Sequence, residues 1–131
     1  MNELAKEILD TVEVGALATV NVDRTPLVTP LHFARLGDSI VWISEPTARH
    51  SENAFRNGKA EFVAWDDKKR AVFLKTNVTE LPESEKEAAM AAYKEKLADF
   101  MPRCENPQIY VAPIGELDEK TTTGNWLHFI A

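Results

Sequence analysis

The chain has 131 residues, of which 44% are hydrophobic and 27% charged, and carries a formal net charge of −6. That balance predicts a single domain over residues 1–131, able to bury about two-thirds of the surface its unfolded chain exposes. It excludes general binding to nucleic acid or acidic membranes, which needs clustered cations, and leaves room for one small anion in a local basic pocket. No stretch approaches the roughly 18 apolar residues of a membrane span. The N-terminal MNELAKEILD carries acids where a signal peptide carries cations, so a cytoplasmic location is expected. The lone Cys104 allows neither an internal disulfide nor a thiolate metal cage.

In chain order, Asn2 is a candidate N-cap, and Leu4, Ile8, Leu9 and Val12 recur at helical spacing, which predicts a helix over 2–12. Residues 14–22 (VGALATVNV) then read as a strand, with a hairpin turn at Asp23-Arg24-Thr25-Pro26. Residues 26–36 (PLVTPLHFARL) alternate Leu27, Thr29, Leu31 and Phe33 against Val28, Pro30, His32 and Ala34. Pro30 cannot donate to a ladder, so this strand requires an edge position or a bulge. Gly37-Asp38 turns the chain into a strand at 39–44, and a helix is expected over 47–57, ended by Asn57-Gly58. Strands follow at 60–65 and at 71–81, the latter with a bend near Thr76-Asn77. Pro82-Glu83 opens a helix over 83–100 with an apolar stripe of Ala88, Ala89, Ala92, Tyr93, Leu97 and Phe100. That helix is expected to cover one end of the molecule. A last strand is expected at 108–117, and the tail 118–131 begins polar and closes on Trp126 and Phe129. Hairpin-linked strands of this number most simply close into a small antiparallel barrel.

The segment 43–57, ISEPTARHSENAFRN, holds the most chemistry. A helix N-terminus offers unpaired N–H groups and the positive end of its dipole, both of which favour an anion. Ser44, Thr47, Arg49, His50 and Ser51 add side-chain donors, so the segment reads either as a phosphate site or as an ordinary capped amphipathic helix.

The residues at 15–20 (GALATV), the D-x-x-P turn at 23–26, the P-x-x-F strand at 30–33 and the basic helix segment 49–57 occur in an order that resembles the pyridoxamine 5′-phosphate oxidase-like group of flavin-binding proteins. The resemblance covers roughly residues 8–81. It implies a mainly β, α+β fold: a six-stranded antiparallel split β-barrel of Greek-key type with flanking helices. It implies a homodimer with FMN in a groove at the subunit interface. By position, Arg49 matches the family's basic phosphate ligand and Asn53 its helix asparagine near the flavin, while His50 and Ser51 stand beside them. Thr29, Leu31 and His32 match positions lining the flavin ring, and Ser44 matches a Ser or Thr next to the phosphate. Trp126 lies where members send an aromatic across to the partner's flavin; without the resemblance it is a core or dimer anchor.

The remaining residues have plainer readings. His32 either contacts the ring or bonds a backbone carbonyl within its strand. Trp42 and Trp65 read as packing. Cys104, next to Arg103, is either a low-pKa thiol or incidental. The chain departs from the pyridoxine-oxidising enzymes in lacking their Arg-rich C-terminal segment, so oxidation of pyridoxamine phosphate is not expected. The expectation is an FMN-dependent oxidoreductase with an unassigned small-molecule substrate or redox partner and no visible general acid or base. The alternatives are a carrier of flavin or electrons without turnover, and a split barrel that holds haem or a deazaflavin, with His32, His50 and His128 as the imidazole candidates.

Overall fold

A computed structural model describes all of residues 1–131. It opens with helix α1 (Glu3–Thr11), capped as expected by the Asn2 side chain, which accepts from the Ala5 N–H at 3.0 Å. Strands β1 (Val14–Val20) and β2 (Pro26–His32) form a hairpin paired from Val14 opposite His32 to Val20 opposite Pro26. Pro30 sits on β2, which is an edge strand, so its missing N–H costs no ladder bond.

The predicted strand 26–36 is divided in the structure. It leaves the first sheet at Phe33 and continues as β3 (Ala34–Leu36), which pairs with β4 (Ser39–Ser44) in a second sheet. Helix α2 (Arg49–Asn57) follows and ends at Gly58, whose φ of 75° is the left-handed conformation of a helix stop. Strands β5 (Lys59–Trp65) and β6 (Ala71–Asn77) form the next hairpin. At Val78 the chain changes sheets again, entering β7 (Thr79–Glu80), so the bend expected near Thr76-Asn77 is a sheet switch. The predicted helix 83–100 is shorter: one 3-10 turn (Glu83–Glu85) leads into α3 (Lys86–Leu97). The predicted last strand also splits, into β8 (Gln108–Pro113) and β9 (Glu116–Leu117), on opposite sheets. The tail adds β10 (Trp126–Ile130), which has no counterpart in the sequence reading.

The result is a six-stranded sheet ordered β2-β1-β5-β6-β10-β9 and a four-stranded sheet ordered β3-β4-β8-β7. This is a split barrel, with two corrections. The sheets do not close, and the pairing is mixed, because β10 runs parallel to β6. A parallel neighbour far away in sequence cannot be joined by a hairpin, which is why local turn signals miss it.

The three switch residues Phe33, Val78 and Ile114 are all buried in the main core. That core joins the inner faces of both sheets to Ala5, Ile8 and Leu9 of α1 and Ala54 of α2. A smaller cluster lies behind the four-stranded sheet, where Ala89, Tyr93 and Leu97 of α3 meet Val41, Ile43 and Ile109. Helix α3 therefore covers the outer face of that sheet rather than an end of the barrel. Strand β4 is buried on both sides in consequence, which explains its unbroken apolar run IVWI. No helix is long and apolar enough to cross a membrane.

Candidate functional site

The N-terminus of α2 is built differently from an ordinary capped helix. Its N-cap is Ala48, which has no side chain to offer, and the first intrahelical bond runs from the Glu52 N–H to the Ala48 carbonyl. The N–H groups of Arg49, His50 and Ser51 are thus left without helical acceptors. Two of the three residues carrying them are basic, at the positive end of the dipole, where cations are disfavoured and anions stabilised. Arg49 is exposed and makes no ion pair or hydrogen bond. Ser51 is 3% exposed, and its hydroxyl is buried without a partner. It faces the Tyr110 hydroxyl, also unpartnered, and the two do not meet at hydrogen-bonding geometry.

His50 turns back toward the strand end, where its Nε2 and the Ser44 Oγ are 2.8 Å apart and share a hydrogen bond. Burial lowers the His50 pKa, so the imidazole is neutral at pH 7. Beside this pair lies a cleft of about 310 Å³. Its walls come from the free edge strand β2 (Thr29, Pro30, Leu31, His32), from Ser44 and His50, and from the connection after α3. Five of the nine candidate residues therefore meet here: Thr29, Leu31, His32, Ser44 and His50.

The other four are placed differently. Arg49 and Asn53 line an adjacent polar pocket of about 470 Å³, together with Asn21, Asp23, Thr25, Glu52 and Arg56. The Asn53 amide is turned inward: its Nδ2 donates to Thr19 Oγ1 and Asn21 Oδ1, and its Oδ1 accepts from Arg56. The first two bonds tie α2 to the end of β1 and the turn after it. Ser51 lies buried below the helix end. Trp126 stands apart on the outer face of the six-stranded sheet, in a shallow cleft with Trp65 and Phe73, and its Nε1 donates to the Lys69 carbonyl at 3.3 Å.

Sequence reading missed the part of the cleft contributed by the segment after α3. Phe100 stacks on His32, with ring centroids 3.9 Å apart, and Arg103 and Cys104 line the same cleft. The only sequence signal there is the pair of prolines at 102 and 107. Cys104 is not a low-pKa thiol, because burial and the nearby Glu45 carboxylate push it up. Tyr93, which also lines the cleft, is pushed up to about 12 by burial and stays protonated.

Size alone does not pick out the site. A wider depression, of about 630 Å³, lies on the outer side of the six-stranded sheet among Ala18, Val20, Lys75 and Ile130, and contains no histidine or arginine. The smaller cleft instead brings His32, Ser44, His50 and Arg103 beside Pro30 and Leu31.

Two sheets that do not close, with a cleft beside an open helix N-terminus, define a split-barrel fold. The chain belongs to the pyridoxamine 5′-phosphate oxidase family: the family model described as Pyridoxamine 5'-phosphate oxidase matches residues 1–115. Solved structures share the fold. A heme binding protein from Mycobacterium smegmatis superimposes with a TM-score of 0.72 at 21% identity, over 86% of this chain and 50% of that one. A FAD-binding protein from Mesorhizobium loti gives 0.69 at 20% identity, over 87% and 88% of the two chains. An F420 reductase gives 0.66 at 18% identity, over 82% and 90%. This chain spans half the length of the Mycobacterium smegmatis protein. No curated protein matches the sequence.

Proposed function

We propose that the chain is a cytoplasmic FMN-binding flavoprotein, working as a homodimer in oxidation–reduction of a small molecule. The observation that carries this reading is the α2 N-terminus: three open N–H groups, an unpaired Arg49 and a partnerless Ser51 hydroxyl, next to a cleft with an apolar wall. Those donors suit a phosphate dianion, and Leu31, Pro30 and His32 suit one face of a planar ring. Arg49 would hold the phosphate by charge-assisted bonds. The Ser44–His50 pair would supply one further donor beside it, and the β2 edge would offer its backbone to the polar rim of the ring. A bound flavin supplies electron transfer; the protein supplies placement and exclusion of water. Two proteins that share the fold, a FAD-binding protein and an F420 reductase, agree in kind with a flavin-type ligand.

Titration of the protein with FMN, followed by quenching of flavin fluorescence, tests the reading. Arg49→Ala should weaken binding by about 10–100-fold, the loss of a charge-assisted contact of roughly 1.5–3 kcal/mol. Unchanged affinity would remove Arg49 from the phosphate. Bleaching of the bound flavin by NAD(P)H separates an enzyme from a carrier.

A second reading is favoured by one observation: two imidazoles, His32 and His50, line the cleft, and His50 is neutral as a metal ligand must be. Haem binding would give a Soret band that is lost in His32→Ala or His50→Ala.

A further inference from the structure

The chain between α3 and β8 is a strap held at its ends and free in its middle. At one end the Ala98 N–H donates to the Lys94 carbonyl and the Phe100 N–H to the Leu97 carbonyl. At the other, the Asn106 N–H donates to both oxygens of Glu45 at 3.2 Å. No backbone N–H of Met101, Arg103, Cys104 or Glu105 finds a protein partner. The strap leaves the helix through Ala98 at φ 54° and ψ −125°, a conformation that an L-residue adopts only when its surroundings hold it there.

What this strap delivers to the cleft is an aromatic ring. Phe100 lies on His32 at 3.9 Å and 27°, an offset stack, yet 41% of it remains exposed and it belongs to neither core cluster. Two rings at that separation are in van der Waals contact. A third ring between them needs about 7 Å, so no planar ligand reaches this face of His32 while Phe100 is there.

We propose that Phe100 is a plug. It covers the ring-binding face of the cleft in place of a planar aromatic ligand, and the strap carries it off when such a ligand enters. The proposal rests on the flavin reading for the ligand's identity. The plug makes the cleft selective, because a ligand has to replace an aromatic stack and so must itself be flat and aromatic. It also keeps His32 and the apolar wall from water until then. Opening breaks the Phe100 N–H bond to the Leu97 carbonyl and turns the chain at Ala98, and residues 101–105, whose backbone N–H groups are bonded to nothing in the protein, follow.

Phe100→Ala and Phe100→Leu, both at a half-exposed position outside the cores, test this in the full chain. In the ligand-free protein, the His32 ring-proton resonances should move downfield in both variants as the ring current of Phe100 is lost. With FMN as the probe, Phe100→Ala should associate faster in stopped-flow fluorescence and bind about three- to ten-fold tighter than the wild type, the worth of one aromatic pair. Unmoved His32 resonances would overturn the stack. Moved resonances with FMN affinity and association equal to or weaker than wild type would overturn the plug and make Phe100 a fixed wall. FMN binding to Phe100→Ala but not to the wild type would support the plug outright. Failure of both proteins to bind FMN would overturn the flavin reading and the plug together, and the His32 resonances would separate that result from a failure of the stack.

Discussion

At the scale of single residues, the α2 N-terminus sets two bases against the dipole that should repel them. Arg49 avoids the cost by standing in solvent, and His50 avoids it by losing its proton. The second adjustment links folding to pH. Burial holds the folded-state pKa of His50 below the ordinary value of 6.5, so between the two values the unfolded chain binds the proton and the folded chain does not. The contribution of His50 is therefore intact above pH 6.5 and drains away as pH falls through the depressed value. His50→Gln keeps a polar side chain facing Ser44 and cannot titrate. Urea midpoints compared between pH 7.5 and 5.5 should fall further for the wild type than for His50→Gln; equal falls would show that His50 is not desolvated.

At the scale of elements, the three sheet switches define the fold, and one glycine shows how tightly the strands are set. A Cβ at Gly15 would lie inside contact distance of the Phe62 ring and of the Val63 carbonyl. Phe62 is 1% exposed and packs edge-on against Phe33, the first switch residue, so it has nowhere to move. Gly15→Ala should cost about 1–3 kcal/mol, typical of overpacking, seen as a lower urea midpoint at unchanged m. A neutral result would mean that β1 and β5 can separate. The hairpins, the three α-helices and the edge position of Pro30 were legible because turn residues, caps and a missing N–H are local signals. The switches were not. The alternation in PLVTPLHFARL runs unbroken through Phe33, so no local feature marks where one sheet hands the strand to the other. WLHFI has strand alternation too, but its partner is Ala71–Asn77, joined by no turn. The cleft was half legible for the same reason. Thr29, Leu31, His32, Ser44 and His50 lie on regular elements, whereas Phe100, Arg103 and Cys104 are put there by tertiary packing of an irregular strap.

At the scale of the whole molecule, the outer face of the six-stranded sheet carries large exposed apolar side chains around the Glu61–Lys75 ion pair. Val20 on β1, Val28 on β2, Trp65 on β5, and Trp126 and Ile130 on β10 are each 45% exposed or more. Alternation puts all of them opposite the core, on one surface, with Phe73 and His128 stacked among them at 4.2 Å. Exposed apolar surface such as that of Trp65, Phe73 and Trp126, which share one cleft, marks an interaction site. A second copy of the chain is the occupant proposed, since a two-fold interface buries the same patch on both subunits and brings the Trp126 side of each toward the other. Sedimentation equilibrium should give twice the chain mass. The double variant Val28→Glu, Trp65→Glu should give the chain mass with unchanged far-ultraviolet circular dichroism, because both side chains are solvent-facing and neither supports the core. If the partner completes the flavin groove, the same variant should lose FMN affinity by at least about tenfold, the worth of one good contact. A monomeric wild type would remove the interface. A monomeric variant with full FMN affinity would place the whole site within one chain, and Trp126 outside it.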